Sequence, residues 1–449
     1  VLGDLQELAS IPDSNSLGLL ALVDRAVGGT DAEVPGVGNW EGAKLLEIRS
    51  GSIVEIEDLG EANLGDPATL TAFVSRGIDQ YPADHYALVL WDHGSIVGVG
   101  ADVSHDDVLT MPELASGLEA ALQQTGVGRL DIVGFDACLM GAVEVASWVA
   151  PHARYMIGSE NLVPNAGWDY RALGYVVDYP EASAEGIARE VIARFVQFHG
   201  EQRPNVTLSL FDLDAFAGFQ ARLGDLAAVL VPDMDDFATV IGRERTRVLE
   251  FGSSPIPAES FFMIDLGQLL AQVGATDAAL TGVAGAARQA LEELVLLSGN
   301  GPGTAAASGL SVYFPPLGEY YQQGYATIAA PEWVQILEAY YATGAGIPPE
   351  QQPSFAEVGN EAAYEFTSMG LTVNASFDSA SIGNIVEAVL LSGIIQEDGS
   401  ILFIGEDQGL FDGSLAVANY NLTTLVLSDG EDEALAYTDV SFSEDLTLL

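Results

Sequence analysis

The sequence holds one cysteine, Cys138, and one lysine, Lys44, in 449 residues. A lone thiol excludes an intrachain disulfide framework and a cysteine-based zinc cluster. Basic side chains number 15 against 65 acidic ones, for a formal net charge of −50. A surface of that sign repels phosphate, so nucleic acid is excluded as a partner and adhesion to an anionic membrane is disfavoured. Long apolar runs are missing as well. The most apolar stretches, 385–395 and 276–297, are interrupted by Glu387 and by Asp277, Arg288, Glu292 and Glu293, so no membrane span is expected. Neither a signal peptide nor an initiator methionine is present. The chain opens on Val1-Leu2-Gly3-Asp4-Leu5-Gln6-Glu7-Leu8, a helix already in progress, and the expectation is that a preceding segment has been removed. Of the five histidines, His85, His105, His152 and His199 show no His-x-x-x-His spacing and read as structural.

What is present is a large apolar complement. Hydrophobic residues make up 49% of the chain, enough for a sizeable core, which excludes a fully disordered protein. The length suggests two or three domains. Abundant Asp and Glu with almost no lysine fit either adaptation to high salt or an exported acidic protein with calcium sites, and composition leaves both open.

Over the first 200 residues, apolar strand-like runs alternate with helical patterns, which predicts an α/β sheet. Leu17–Val23 reads as a buried strand, and 45–50 and 52–57 as a hairpin around Gly51. Asp66-Pro67 opens a helix to about Gln80, with Asp as cap and Pro in the first turn. Tyr86–Trp91 reads as a fully buried strand, Met111 to about Thr125 as a helix, Leu130–Phe135 as a strand, and 142–149 as a helix. Tyr155–Gly158 and Thr207–Leu213 follow as strands, then helices over 215–230 and 276–298, a strand over 309–314 and a helix over 331–343. Residues 346–353, Gly-Ile-Pro-Pro-Glu-Gln-Gln-Pro, read as a linker. Beyond it, short alternating runs separated by Asp398-Gly399, Asp412-Gly413 and Asp429-Gly430 predict a β-sandwich-like C-terminal domain over 354–449.

Chemistry concentrates between Tyr86 and Tyr170. One strand runs into Asp92-His93-Gly94, the other into Asp136-Ala137-Cys138. Sites in open α/β sheets form outside the carboxyl ends of strands. If these strands are parallel neighbours joined through the 111–125 helix, the sole thiol faces an imidazole. A thiolate can attack a carbonyl carbon while the imidazole protonates the leaving amine. The Gly94 and Cys138 amides are candidates for an oxyanion hole, and a helix after Cys138 is expected to lower the thiol pKa. Residue types alone also allow a buried, inert cysteine and a structural histidine.

Tyr86-Ala-Leu-Val-Leu-Trp-Asp-His-Gly94 and Gly134-Phe-Asp-Ala-Cys-Leu-Met-Gly141 resemble the clostripain-like cysteine peptidases, of the clan that includes caspases, legumains and gingipains. Gly158-Ser-Glu-Asn161, Pro164-Asn-Ala-Gly-Trp-Asp-Tyr170, Leu208–Leu213 and Gly309–Pro315 resemble later segments of that family, so the similarity spans about Asp4 to Thr343. The resemblance implies a caspase-like, mainly parallel sheet flanked by helices over 1–345, lacking the family's first strand. It implies a His93–Cys138 dyad, and Asp136 and Asp169 as acidic residues of the pocket for the side chain before the scissile bond. Relatives with those acids cut after Arg or Lys, and carboxylates at a pocket floor suit a guanidinium or ammonium. Asp136 as a helix cap and Asp169 as a turn residue are the structural alternatives.

Two departures matter. Ser95-Ile96-Val97 replaces the glycine-tryptophan pair that many relatives carry after His-Gly. Between His93 and Cys138 the only basic residue is Arg129, at the start of a predicted strand, so self-cleavage in that interval is not expected. Asp102, Asp106 and Asp107 form an acidic loop where calcium is a candidate ligand, although the spacing is not that of an EF-hand; no metal ligand set is assigned and no cofactor is required. The expectation is therefore an extracellular or cell-surface endopeptidase acting on peptides with basic residues. The alternative is a non-catalytic, self-assembling protein on a peptidase scaffold, its open sheet edge allowing oligomers by strand addition.

Overall fold

The computed structural model describes residues 2–26, 28, 32–200, 202–254 and 260–343, and beyond these 353–356, 363–367, 370–379, 382, 385, 388–395, 401–420, 425–428 and 433–436. The chain opens with α1 (Leu2–Ala9), followed by an antiparallel sheet of β1 (Leu19–Arg25), β2 (Gly42–Arg49) and β3 (Ser52–Gly60). Gly51, at φ 68°, makes the turn between β2 and β3. β1 lies at the edge of this sheet and is half-buried rather than buried as expected.

The segment that carries the site comes next. α2 (Pro67–Gln80) starts where Asp66 Oδ1 accepts the Ala68 N–H at 2.8 Å, and it buries Leu70, Val74 and Ile78 on one stripe. β4 (Ala87–Trp91) leads into the hairpin β5 (Gly98–Asp102) and β6 (Asp107–Thr110), then α3 (Met111–Thr125), which Gly126 ends at φ 74°. β7 (Leu130–Asp136), α4 (Val143–Val149) and β8 (Ala153–Gly158) follow. Then come α5 (Gly174–Asp178), α6 (Ala184–His199), β9 (Thr207–Asp212), α7 (Phe216–Leu230), α8 (Met234–Arg245), β10 (Glu250–Phe251) and β11 (Met263–Asp265). α9 (Leu266–Thr276), α10 (Thr281–Leu294), β12 (Val295–Asn300), β13 (Ser311–Tyr313) and α11 (Pro331–Thr343) complete this part.

Five strands form the central sheet in the order β12-β9-β8-β7-β4. β4, β7 and β8 are parallel; β9 and β12 are antiparallel to their neighbours. The sheet is therefore mixed: two of its four pairings are parallel and two antiparallel, and β9 alone runs against the other four strands. The strand not expected is β12, which falls within the helix that periodicity predicts over 276–298. The helix stops at Leu294, and Val295–Asn300 pairs with β9 instead. β4 is an edge strand whose Ala87 and Trp91 are exposed, which corrects the expectation that it is fully buried. One face of the sheet packs on α6 through Ile132, Ile157, Val191, Phe195, Leu208 and Leu210. Each such side chain contributes about 1.5–3 kcal/mol when removed from water.

The chain divides into two compact units, 1–227 with 263–313 and 322–334, and 228–262 with 314–321 and 335–449. The central sheet belongs to the first. In the second, Arg245 is buried, donating from Nε to the Phe314 carbonyl at 3.0 Å and pairing with Glu250 at 2.6 Å. Among its described residues, β14 (Ala363–Thr367), β15 (Gly370–Ser376), β16 (Val389–Ile395), β17 (Ile401–Gln408), β18 (Leu410–Asp412), β19 (Leu415–Tyr420), β20 (Leu425–Ser428) and β21 (Glu433–Ala436) pair antiparallel. The Asp412-Gly413 turn joins β18 to β19, whereas residues 346–352 of the expected linker and the Asp398-Gly399 and Asp429-Gly430 turns lie outside the described residues.

Candidate active site

Trp91 ends β4 and Asp136 ends β7, and the two residues are paired across the parallel ladder. His93 and Cys138 thus follow equivalent strand positions and emerge at the same edge of the sheet. Their loops touch. A side chain on Gly94 would meet Ala137 Cβ at 2.8 Å, the Cys138 carbonyl oxygen at 2.8 Å and Met140 Sδ at 2.9 Å, so only glycine fits. Gly94 faces Val99 across an isolated bridge whose bonds run from Gly100 N–H to the His93 carbonyl and from Ser95 N–H to the Gly98 carbonyl. That pattern leaves the Gly94 N–H outside the ladder, as an oxyanion donor requires.

Cys138 is partly buried. The Val163 N–H donates to its Sγ at 3.3 Å, and the thiol faces the Val163 carbonyl at 3.9 Å. Burial pushes the thiol pKa up, the Val163 bond opposes this, and the nearby Asp136 adds to the rise. The expected lowering by a following helix is therefore corrected. α4 begins only at Val143 and is two turns long, so its positive end does not sit at the sulfur. Leu139, next in the chain, adopts a left-handed φ of 60° while its N–H donates to the Asn161 carbonyl at 3.2 Å. A leucine held there costs on the order of 1 kcal/mol, offset here by full burial of its side chain. His93 is exposed, and among the described residues no hydrogen bond joins it to Cys138.

The loop after the cysteine crosses the loop after β8 at two glycines. A side chain on Gly141 would strike Glu160 N at 2.8 Å, and one on Gly158 would strike the Met140 carbonyl carbon at 2.8 Å. Beneath this crossing Glu160 is fully buried, with Oε2 accepting the Gly309 N–H at 3.1 Å. Burial and the neighbouring Asp265 hold its carboxyl well above the usual range.

Asp136 is 3% exposed. Its Oδ2 accepts the Trp168 N–H at 2.9 Å and the Tyr170 hydroxyl at 3.0 Å, while Oδ1 is buried with no hydrogen-bond partner. It is not a helix cap. Gly167, at φ 60°, lies so close that a Cβ would sit 2.4 Å from Oδ2. The Trp168 ring covers β7 where Gly134 leaves room, since a Cβ on Gly134 would meet Cη2 at 2.6 Å. Burial pushes the Asp136 pKa up to about 7, against the bonds from Trp168 and Tyr170 and with a contribution from Asp4.

Asp169 has partners of its own. Oδ1 accepts the Arg171 N–H at 3.2 Å and Arg171 Nε at 2.6 Å, and Arg194 lies 3.9 Å from Oδ2. It caps the short 3-10 turn Tyr170–Leu173. Residue types did not single out Val163, Gly167, Trp168 or Tyr170, which hold the thiol and the Asp136 carboxylate. The Pro164–Tyr170 segment carried the signal, but in two of these contacts, at Val163 and Trp168, the main chain is the donor, and backbone roles leave no mark on residue type.

The acidic loop does not converge as a triad. Asp102 Oδ2 accepts the Leu64 N–H at 2.9 Å and Oδ1 accepts the His105 N–H at 3.1 Å, whereas Asp107 accepts Asn63 Nδ2 at 2.6 Å. Asp102 groups instead with Glu61 and His105, with one ligand atom from each within 4.8 Å of the others.

The sequence pattern of the clostripain family, peptidase family C11, matches residues 1–326. Clostripain of Hathewaya histolytica is 28% identical over 204 residues, covering 38% of this chain and 38% of its own length. The matched region is thus little more than a third of that curated relative. An inactive zymogen C11 protease from Parabacteroides distasonis shares the fold at 20% identity, with TM-score 0.53, over 76% of this chain and 91% of that one. A secreted C11 cysteine protease from Bacteroides thetaiotaomicron, solved with an irreversible peptide inhibitor, gives 19% identity, TM-score 0.52, and 76% and 93% coverage.

Proposed function

The chain belongs to the clostripain family, and we propose that it is a cysteine endopeptidase cutting after basic residues, Arg or Lys, with Cys138 as nucleophile and His93 as proton carrier. The observation that carries this reading is the in-register pairing of Trp91 with Asp136, after which the loops bearing His93 and Cys138 leave the same end of the sheet.

In the proposed reaction the Cys138 S–H proton passes to the His93 imidazole and sulfur bonds to the scissile carbonyl carbon. Burial raises the thiol pKa, which favours the protonated thiol as the resting form from which this transfer starts. The oxyanion is held by the Gly94 and Cys138 N–H groups. His93 then protonates the leaving amine as the C–N bond breaks, and water hydrolyses the thioester with the imidazole as base. Asp136, buried with one oxygen unpartnered, is the group that recognises the basic side chain. Asp169, whose Oδ1 is engaged by Arg171 at 2.6 Å, is proposed as the second acidic residue of that pocket.

The chemistry requires no cofactor; calcium remains a candidate ligand of the acidic loop. An extracellular or cell-surface location is proposed by analogy with the secreted Bacteroides relative. Among the described residues no helix is long and apolar enough to cross a membrane. We further propose a β-sandwich-like appendage over 354–449 and assembly through the open β4 edge as features of the whole protein. The direct test of the dyad is labelling by a thiol-reactive peptide ending in Arg. Labelling lost in Cys138→Ala supports the assignment, and labelling that persists refutes it.

A further inference from the structure

His199 is the last residue of α6 and the end of its buried stripe. Ala188, Val191, Ile192, Phe195 and His199 are the buried residues of that helix, and an apolar side chain would continue the pattern. The imidazole is 5% exposed and lies against Phe195 and Phe198, with ring centroids 4.8 and 4.7 Å away. A polar ring in such a place needs a partner. Its Nε2 lies 2.7 Å from the Gly167 carbonyl oxygen. A carbonyl only accepts, so Nε2 carries the hydrogen and donates.

Gly167 is where the pocket loop turns inward. Its N–H donates to the Pro164 carbonyl at 2.8 Å, closing a turn whose tip, Asn165-Ala166, is exposed, and residues 167–170 beyond the tip are buried. From there the Trp168 N–H and the Tyr170 hydroxyl both reach Asp136 Oδ2, at 2.9 and 3.0 Å, while Oδ1 is left without a partner. The Cys138 end of the same segment has anchors of its own. The Asn161 N–H donates to Ser159 Oγ at 3.2 Å and Thr207 Oγ1 at 3.1 Å, and Asn161 Nδ2 donates to the Asn205 carbonyl at 3.0 Å. His199 therefore holds the Asp136 end of the loop, and the Asn161 bonds hold the Cys138 end.

We propose that His199 is a positioning residue for the pocket that receives the basic side chain. By fixing the Gly167 carbonyl, its Nε2–H keeps the Trp168 and Tyr170 donors on Oδ2 of Asp136 and leaves Oδ1 to a substrate guanidinium. His199 acts through the loop and not on the substrate. The inference rests on the proposed cleavage after basic residues and adds to it a residue outside the His93 and Cys138 loops.

The experiment compares wild type, His199→Phe, His199→Gln and Asp136→Asn on a fluorogenic peptide ending in Arg. Alkylation of Cys138 by iodoacetamide, small and neutral, reports on the thiol loop. His199→Phe keeps a ring beside Phe195 and Phe198 but has no donor. It is expected to raise KM about 10-fold, with kcat and the alkylation rate within about twofold of wild type, because the loss falls on binding of the cation. His199→Gln, whose amide N–H can reach the same carbonyl, recovers most of that loss. His199→Met, flexible and without a donor, takes the place of the Phe variant if that one does not fold. A loss of kcat and alkylation as large as the rise in KM, or a His199→Gln enzyme no better than the donorless variants, makes the residue part of the core packing and overturns the proposal. Wild-type KM in the donorless variants, beside an Asp136→Asn enzyme whose Arg turnover has collapsed, overturns it too and leaves the basic pocket standing. Undiminished Arg turnover in Asp136→Asn instead refutes the pocket reading on which the proposal rests.

Discussion

Asp136 and Asp102 are both buried aspartates near the ends of strands in the same stretch of chain, yet the protein treats them oppositely. At Asp102 burial is outweighed by bonds from the Leu64 N–H, the His105 ring and the His105 N–H, and the carboxyl is held below its usual range. At Asp136 two donors share one oxygen, the other has none, and burial pushes the pKa up to about 7. The first carboxylate is saturated by its own fold. The second is left short of partners. An acidic composition thus says little by itself, because the number of donors around each carboxylate decides whether it serves the fold or awaits a cation.

The sharpest way to break this comparison is to neutralise each aspartate. Asp136→Asn is expected to cut kcat/KM on an Arg peptide by about 10²-fold or more, the cost of removing a buried charge from a charge-assisted pair. Asp102→Asn is expected to keep the Arg preference while losing about 1–3 kcal/mol of stability, as the Leu64 and His105 donors lose their anionic acceptor. Equal effects of the two variants on specificity contradict the distinction. Denaturant titration and steady-state kinetics read both.

The titration behaviour should differ in sign as well. Asp136 is neutral below a pH of about 7 and charged above it, so KM for an Arg peptide is expected to fall as pH rises from 6 to 8. Because its folded pKa is raised from 3.8 to about 7, its contribution to stability is full in acid and is lost as pH rises from the unfolded value through about 7. The lowered Asp102 acts the other way, contributing above its unfolded pKa and losing its effect only in acid. Glu160 extends the pattern away from the pocket. Its carboxyl is raised by burial and by Asp265, so Glu160→Gln should melt higher than wild type at pH 8, by about 2–4 °C, and show no gain near pH 4. A thermal shift of the same size at both pH values contradicts a charge-based cause.

Much of this was legible in the sequence where the signal is local. Asp66-Pro67 marked the start of α2, Pro331 that of α11, and the strand-end pair marked the sheet edge. What was not legible depends on partners distant in the chain. Val295–Asn300 continues an apolar run out of a helix, and only pairing with β9 makes it a strand. The antiparallel half of the sheet follows from that pairing and from β9 against β8. The edge position of β4 depends on which strand order the chain adopts, not on the residues of β4. The raised thiol pKa follows first from burial of the sulfur, which the local motif does not show, and α4 starts too late to oppose it.

The smallest expected effect concerns chain integrity. Arg129 is exposed, but its guanidinium is held by Asp214 at 2.8 Å and by the Ala153 carbonyl at 2.6 Å, directly before β7. Active enzyme is expected to run as a single chain across this interval on a denaturing gel, and two fragments split after Arg129 contradict it.

The central claim is that Cys138 and His93, at one sheet edge, act on substrates selected by Asp136. It is tested most directly by turnover of two fluorogenic peptides, one ending in Arg and one in Asp, by wild type, Cys138→Ala and His93→Ala. The account predicts turnover of the Arg peptide alone, abolished in both variants, which remain folded. Turnover that survives in Cys138→Ala, or a folded wild-type protein that cleaves neither peptide, contradicts it.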